Sequence, residues 1–207
     1  MSDCRATYRK VKEFVEFLHP DELTGNLHRN MNTLTAMITG IIIGKETQLP
    51  QIAANVPEDI KLPSTEKRFK RLLINENVTE QTYFLPFVQS VLINLGLEEM
   101  VLAIDGSLVG RGSICLMISL IYGKRALPIT WLVVKGCKGH LPERLHLDLL
   151  MQLQSILPEN YQAVFLGDGE FDGTQLQDAV QSLGMQYACR TAKNIQLFED
   201  GLSFSFN

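Results

Sequence analysis

Apolar residues recur at helical spacing through the first ninety-odd positions and then gather into short continuous runs. Tyr8, Val11, Val15 and Leu18 share one helix face, with Pro20 as a stop, and Leu34, Met37, Ile38, Ile41 and Ile42 share another that ends near Gly44. A short helix is predicted after Thr47, carrying Gln51 to Ala54. A connection with Pro57 and Pro63 follows, and Ser64 is placed to cap a helix running to about Ile74. Two short helices in succession, the second basic, suggest a helix-turn-helix-like arrangement. Thr79 opens a last helix with Phe84, Phe87, Val88, Val91 and Leu92.

From about residue 98 the pattern is that of strands. Met100 to Ile104 reads as a buried strand closed by the turn Asp105-Gly106-Ser107. Ser113 to Tyr122 and Ala126 to Val134 are apolar runs about a Gly123-Lys124-Arg125 turn, hence a hairpin. Pro128 cannot donate to a ladder and so places the second strand at a sheet edge or near its own start. Leu145, Leu149, Leu150, Leu153 and Ile156 define an amphipathic helix, Tyr161 to Leu166 a strand, Asp172 or Thr174 to Leu183 a helix, and Met185 to Cys189 a strand. The order β-β-β-α-β-α-β predicts a mixed α+β or α/β domain over residues 98–207 behind an all-helical domain over residues 1–97.

Composition narrows the class. With 207 residues, 45% hydrophobic and 20% charged, the chain has the apolar content of a folded protein, which excludes disorder and collagen. Cysteines at positions 4, 115, 137 and 189 form no Cys-x-x-Cys pair and predict reduced thiols in a cytoplasmic protein. The start, Met1-Ser-Asp-Cys-Arg, has no signal-peptide pattern. Lys124 and Arg125 split the longest apolar run into pieces too short to cross a bilayer as a helix, so no membrane partner is expected.

The net charge is −4, but it is unevenly spread: residues 1–97 carry eleven basic and eleven acidic side chains, and residues 98–207 carry eight and twelve. Lys61, Lys67, Arg68, Lys70 and Arg71 fall within eleven residues that hold a single acid, Glu66. Such a local patch governs phosphate contact more than net charge does. On a helix, Lys67, Lys70 and Arg71 share a face. Lys67, Arg68, Lys70 and Arg71 are therefore candidate contacts to the backbone of double-stranded DNA, against the alternative of a merely solvated face.

The candidate chemistry lies at the strand ends. Asp105 and Asp168 each follow a predicted strand, and ligands of α/β sheets collect at strand carboxyl ends. Two carboxylates brought close repel unless a cation is shared, and hard oxygen donors suit Mg²⁺ or Mn²⁺. Paired ions of this kind activate a water or a 3′-hydroxyl for in-line phosphoryl transfer. Lys135, Lys138 and Arg144, in and after the following loop, are candidate contacts to DNA near the scissile phosphate.

Other patterns carry less. Asp168, Glu170 and Asp172 with Gly173 imitate a calcium loop, but its twelfth position is Ala179, which offers no carboxylate. Asp172 reads instead as an N-cap with Gln175 three residues on. Cys137 and His140, even with His146, do not make four zinc ligands. There is no Gly-x-Ser-x-Gly elbow and no phosphate-binding Gly-x4-Gly-Lys loop.

Val101-Leu-Ala-Ile-Asp-Gly-Ser107, the apolar hairpin with Pro128-Ile-Thr-Trp131, and Val164-Phe-Leu-Gly-Asp-Gly-Glu-Phe171 together resemble the DDE transposases of bacterial insertion sequences, the IS-four-like group. The resemblance covers nearly the whole chain. It implies a ribonuclease H-like catalytic domain in which Asp105 and Asp168 match the first and second catalytic aspartates. It implies Mg²⁺ or Mn²⁺ as cofactor, transposon-end and target DNA as partners, and a homodimer in the intact protein. Ser64-Thr-Glu-Lys-Arg-Phe-Lys-Arg-Leu-Leu73 is similar to the DNA-binding portion.

The family's third carboxylate, a glutamate in a Tyr-x2-Arg-x3-Glu-x6-Lys helix beyond a β-rich insertion, has no match. Tyr187 and Arg190 have the first spacing, but position 194 is Asn. Residues 194–206 are expected to begin that insertion, so the ribonuclease H-like domain is expected to be incomplete. This chain is then expected to be an inactive fragment of a DNA-cleaving and DNA-joining transposase. The alternative is a catalytically silent DNA-binding or subunit-pairing protein, such as a transposition inhibitor or a gene remnant.

Overall fold

The computed structural model describes residues 2–19, 25–139, 141–190, 196–199 and 202–205. Pro20, His140 and Asn194, which carried expectations above, lie outside the described residues. Two compact units divide the chain, Met1–Ser90 and Val91–Asn207. The first is helical and the second is a mixed sheet with flanking helices, so the fold class is α+β.

The helical unit contains α1 (Ser2–Leu18), α2 (Gly25–Gly44), α3 (Leu49–Ala54), α4 (Leu62–Leu73) and α5 (Glu80–Tyr83); α6 (Leu85–Leu95) carries the chain into the second unit. Ala36 and Met37 of α2, Ile52 and Ala53 of α3, and Phe69 and Leu72 of α4 form one buried cluster. Gly40 lets α2 approach the carbonyl of Ile52 so closely that a Cβ there would collide with it.

Two helix boundaries differ from expectation. Helix α4 begins at Lys61 as N-cap, and Ser64 lies inside it. Pro63 is tolerated in that first turn because an N–H there has no intrahelical acceptor to lose. Thr79 does cap a helix, accepting the Thr82 amide at 3.4 Å, but that helix stops at Tyr83. Pro86 lacks an N–H and crowds the carbonyl four residues back, so one expected helix becomes two.

The second unit is built on β1 (Glu99–Gly110), β2 (Ser113–Tyr122), β3 (Arg125–Lys135), β4 (Gln162–Gly167) and β5 (Gln186–Cys189), with α7 (Glu143–Gln154) before β4 and α8 (Thr174–Ser182) before β5. The sheet order is β3-β2-β1-β4-β5, with β1–β4 and β4–β5 parallel and the β1–β2–β3 meander antiparallel. This is a mixed five-stranded sheet with flanking helices. A separate antiparallel pair, β6 (Gln196–Glu199) and β7 (Leu202–Ser205), follows.

Pro128 lies on the edge strand β3, as its missing N–H requires, and the ladder slips there so that Ile129 has no opposite residue on β2. Alternation along β1 buries Met100, Leu102 and Ile104 and leaves Val101 and Asp105 on the other face. Leu102, Ile118 and Phe165, fully buried, lie in the core with Leu149 and Leu153 of α7 and Leu176 and Val180 of α8. His146, 5% exposed, belongs to the buried stripe of α7.

Candidate functional site

The first strand does not end where the sequence placed its turn. β1 runs past Asp105 to Gly110, still pairing with β2, and the reversal is made by Gly110-Arg111-Gly112, all three at positive φ. Asp105 is therefore a mid-strand residue opposite Met117, and not a strand-end residue. What ends near it is the pairing with β4, whose last partners are Ala103 and Leu166. The described β1–β4 pairing stops there, two residues short of Asp105 on one strand and of Asp168 on the other. Asp168 itself follows the last residue of β4.

Asp105 is open to solvent, with 64% of its side chain exposed. The Ser107 hydroxyl donates to its Oδ2 at 3.1 Å, and Lys138 Nζ stands 3.8 Å from its Oδ1. Asp168 Oδ1 accepts the Glu170 amide at 2.9 Å, which tightens the Gly169 turn. Glu170 lies over Gly106, its Oε2 3.7 Å from where a Cβ would stand, and also reaches Gly139. Gly106 faces the buried side of β1, so Glu170 and Asp105 approach the strand from opposite sides. Among the described residues no group of three or more His, Cys, Asp or Glu side chains is gathered closely enough to hold a metal ion. The oxygen donors of Asp105 and Asp168 suit a hard divalent cation, and among the described residues no group of three such side chains is gathered with them.

The loop carrying Asp168 is fixed from beneath. Phe171 is 1% exposed, its amide donates to the Asp168 carbonyl at 3.0 Å, and its ring meets the His146 ring edge-on at 4.9 Å. The Tyr187 hydroxyl donates to the Phe171 carbonyl, and its ring stacks on Phe165. Burial is the main cause of a Tyr187 pKa held above the ordinary phenol value, with neighbouring Cys189, Asp172 and Asp168 adding to it. Burial likewise lowers the His146 pKa, partly opposed by Glu143 and Glu170.

The helix after this loop is capped from another element. Its N-cap is Gly173, and neither Asp172 nor Gln175 makes the expected capping box. Glu143 of α7 accepts the Leu176 amide at 2.9 Å instead and occupies the space that a side chain at 173 would need. Sequence reading missed Glu143, His146, Phe171 and Tyr187 as supports of the Asp168 loop. The available signal was the stripe His146, Leu149, Leu150, Leu153, whose helical spacing puts the histidine on the buried face.

The candidate DNA contacts separate. Lys67, Lys70 and Arg71 are exposed on α4. Arg68 turns inward to an ion pair with Glu58 and packs over Phe69 at 5.6 Å. Lys135 donates to the Arg111 carbonyl at 2.7 Å, while Lys138 is the partner of Asp105 and Arg144 is exposed in the first turn of α7. None of the four cysteines forms a disulfide, and no helix among the described residues is long and apolar enough to cross a membrane.

No protein-family model and no curated protein matches the chain. Among solved structures it is similar to one described as the crystal structure of the Mos1 strand transfer complex, with a TM-score of 0.30 and 11% identity, over 76% of this chain. The chain spans 58% of the length of that chain.

Proposed function

We propose that the chain carries part of a DDE-type DNA transposase, with Asp105 and Asp168 as two carboxylate ligands of Mg²⁺ or Mn²⁺. The observation that supports this reading is the parallel β1–β4 register, Ala103 opposite Leu166, from which each aspartate lies two residues further along its chain. A divalent ion bound there would supply Lewis-acid activation for phosphoryl transfer at transposon ends and target DNA. Asp105 and Asp168 would hold it, with Ser107 and the Glu170 amide fixing one oxygen of each carboxylate.

Lys67, Lys70 and Arg71 would bind DNA backbone, and Lys135, Lys138 and Arg144 would lie near the scissile phosphate. Arg68, already paired with Glu58, would orient α4 more than contact phosphate. The protein would act in the cytoplasm, and when intact as a homodimer on paired ends.

A second reading, a catalytically silent DNA-binding or subunit-pairing protein, is favoured by the lack of a third ligating side chain beside the pair among the described residues. Calorimetric titration of Mn²⁺ and Mn²⁺-dependent nicking of supercoiled DNA, each on the protein and its Asp105→Asn variant, separate the two. Mn²⁺ binding lost in the variant supports the aspartate pair. Equal Mn²⁺ binding and equal nicking by both proteins remove Asp105 from any catalytic role. DNA binding with neither Mn²⁺ uptake nor nicking leaves the silent reading.

A further inference from the structure

Helices α2 and α4 turn polar stripes toward a shared cavity of about 390 Å³. Arg29, Asn32 and Thr33 come from α2 at i, i+3 and i+4, and Arg68, Arg71 and Asn75 from α4 and the residues after it at i, i+3 and i+7. No carboxylate and no aromatic ring lines the cavity.

Arg68 is already engaged. Its terminal nitrogen is taken by Glu58, whereas its Nε is buried with no hydrogen-bond acceptor. The guanidinium groups of Arg29 and Arg71 stay charged at any working pH. Among the described residues neither Arg29 nor Arg71 makes an ion pair. Two guanidinium groups without an ion pair, with the Asn32 and Asn75 side-chain amides around the same cavity, suit an anion with several acceptor oxygens. Arginine forks match phosphate in this way. With no aromatic side chain to stack on a base, the cavity is suited to the phosphate and not to the nucleobase.

The geometry points to a phosphate-binding pocket between α2 and α4, with Arg29 and Arg71 as its clamp and the Asn32 and Asn75 amides in reach. That the phosphate belongs to a nucleic-acid backbone rests on the DNA-binding reading above; inorganic phosphate or a nucleotide is the other source of the same chemistry. The pocket shares Arg71 with the exposed face of Lys67 and Lys70 but takes Arg29, Asn32 and Thr33 from α2 and Asn75 from beyond α4. It would anchor one phosphate by shape where that face attracts many by charge.

The test has two arms on the whole chain. Proton–nitrogen NMR follows titration with inorganic phosphate against chloride at matched ionic strength. Fluorescence anisotropy follows a labelled random-sequence duplex over a range of salt. The variants are Arg29→Ala, Arg71→Ala and their combination, with Lys124→Ala in the β2–β3 turn as a control for lost charge. Arg29 and Arg71 are exposed, so the variants keep the core, which circular dichroism checks. Arg29→Lys serves as a milder second variant.

Phosphate shifts at Arg29, Asn32 and Asn75 that vanish in the double variant are expected. DNA affinity should fall about tenfold, and its salt dependence should flatten by about two units of slope. Lys124→Ala should change affinity less than about twofold. Duplex binding and phosphate shifts unchanged in the double variant overturn the pocket and leave the DNA-binding reading standing. Phosphate shifts lost in the double variant, without duplex binding by any protein, support the pocket and overturn the DNA-binding reading.

Discussion

The Glu143 carboxylate accepts the backbone amide of Leu176 at 2.9 Å, so the first turn of one helix caps another that begins thirty-one residues later. The bond offsets an unpaired donor at the start of α8 and ties the end of the Asp168 loop to α7. Glu143→Ala should lower stability by about 0.5–2 kcal/mol, the usual cost of a lost cap. Glu143→Gln, which keeps an acceptor oxygen, should cost less. Urea unfolding of the three proteins checks the order, and an unchanged midpoint in Glu143→Ala would show that the cap contributes nothing.

Gly40 places α2 against the Ile52 carbonyl with no room for a methyl group. Alanine would gain about 1 kcal/mol in helix propensity. Forcing a Cβ into closely packed backbone costs about 1–3 kcal/mol, so Gly40→Ala should destabilise the helical unit on balance. Thermal melting followed by far-ultraviolet circular dichroism reads the sign, and a raised melting temperature would contradict the packing described.

His146 titrates below its ordinary value of 6.5 because the folded protein buries it. The unfolded chain therefore binds the proton more readily. The stability His146 contributes is fully present above pH 6.5 and is lost as pH falls through its lower folded value. Glu143 and Glu170 oppose the shift, which keeps the loss moderate. Urea midpoints between pH 5 and pH 7.5 should fall toward acid more steeply in the wild type than in His146→Gln. Parallel profiles would remove His146 as a source of the acid sensitivity.

Lys138 stands 3.8 Å from Asp105 Oδ1 and competes electrostatically with any cation that approaches that carboxylate. If Asp105 is a metal ligand, Lys138→Ala should tighten Mn²⁺ binding a few-fold, roughly the effect of one exposed charge near a site. Calorimetric titration measures it. Weaker binding in the variant would instead make the lysine part of the site's support.

Much of the fold was legible because local pattern decides local structure. The stripes at 34–42 and 149–153 and the apolar runs at 114–121 and 126–134 specify helix and strand without reference to the rest of the chain. Pro128 on an edge strand followed from a missing donor. Errors fell where a long-range partner outweighed a local signal. Asp105-Gly106-Ser107 reads as a turn in isolation, but pairing with β2 keeps it extended. Asp172 reads as a cap, but Glu143, distant in sequence, takes the amide. Arg68 looks like part of a basic face until Glu58, ten residues away, draws it inward.

The sequence alone determined the order of helices and strands, an all-helical first part and a mixed sheet after it, and it singled out Asp105 and Asp168, although it set Asp105 in a turn where the chain continues as a strand. It could do so because apolar periodicity and proline chemistry act over a few residues. Only the tertiary structure decided the β1–β4 register, the face on which Asp105 stands, the inward turn of Arg68 and the cavity between α2 and α4. Each of these depends on which distant segments pack together, and strand register is set by side-chain burial across the whole sheet.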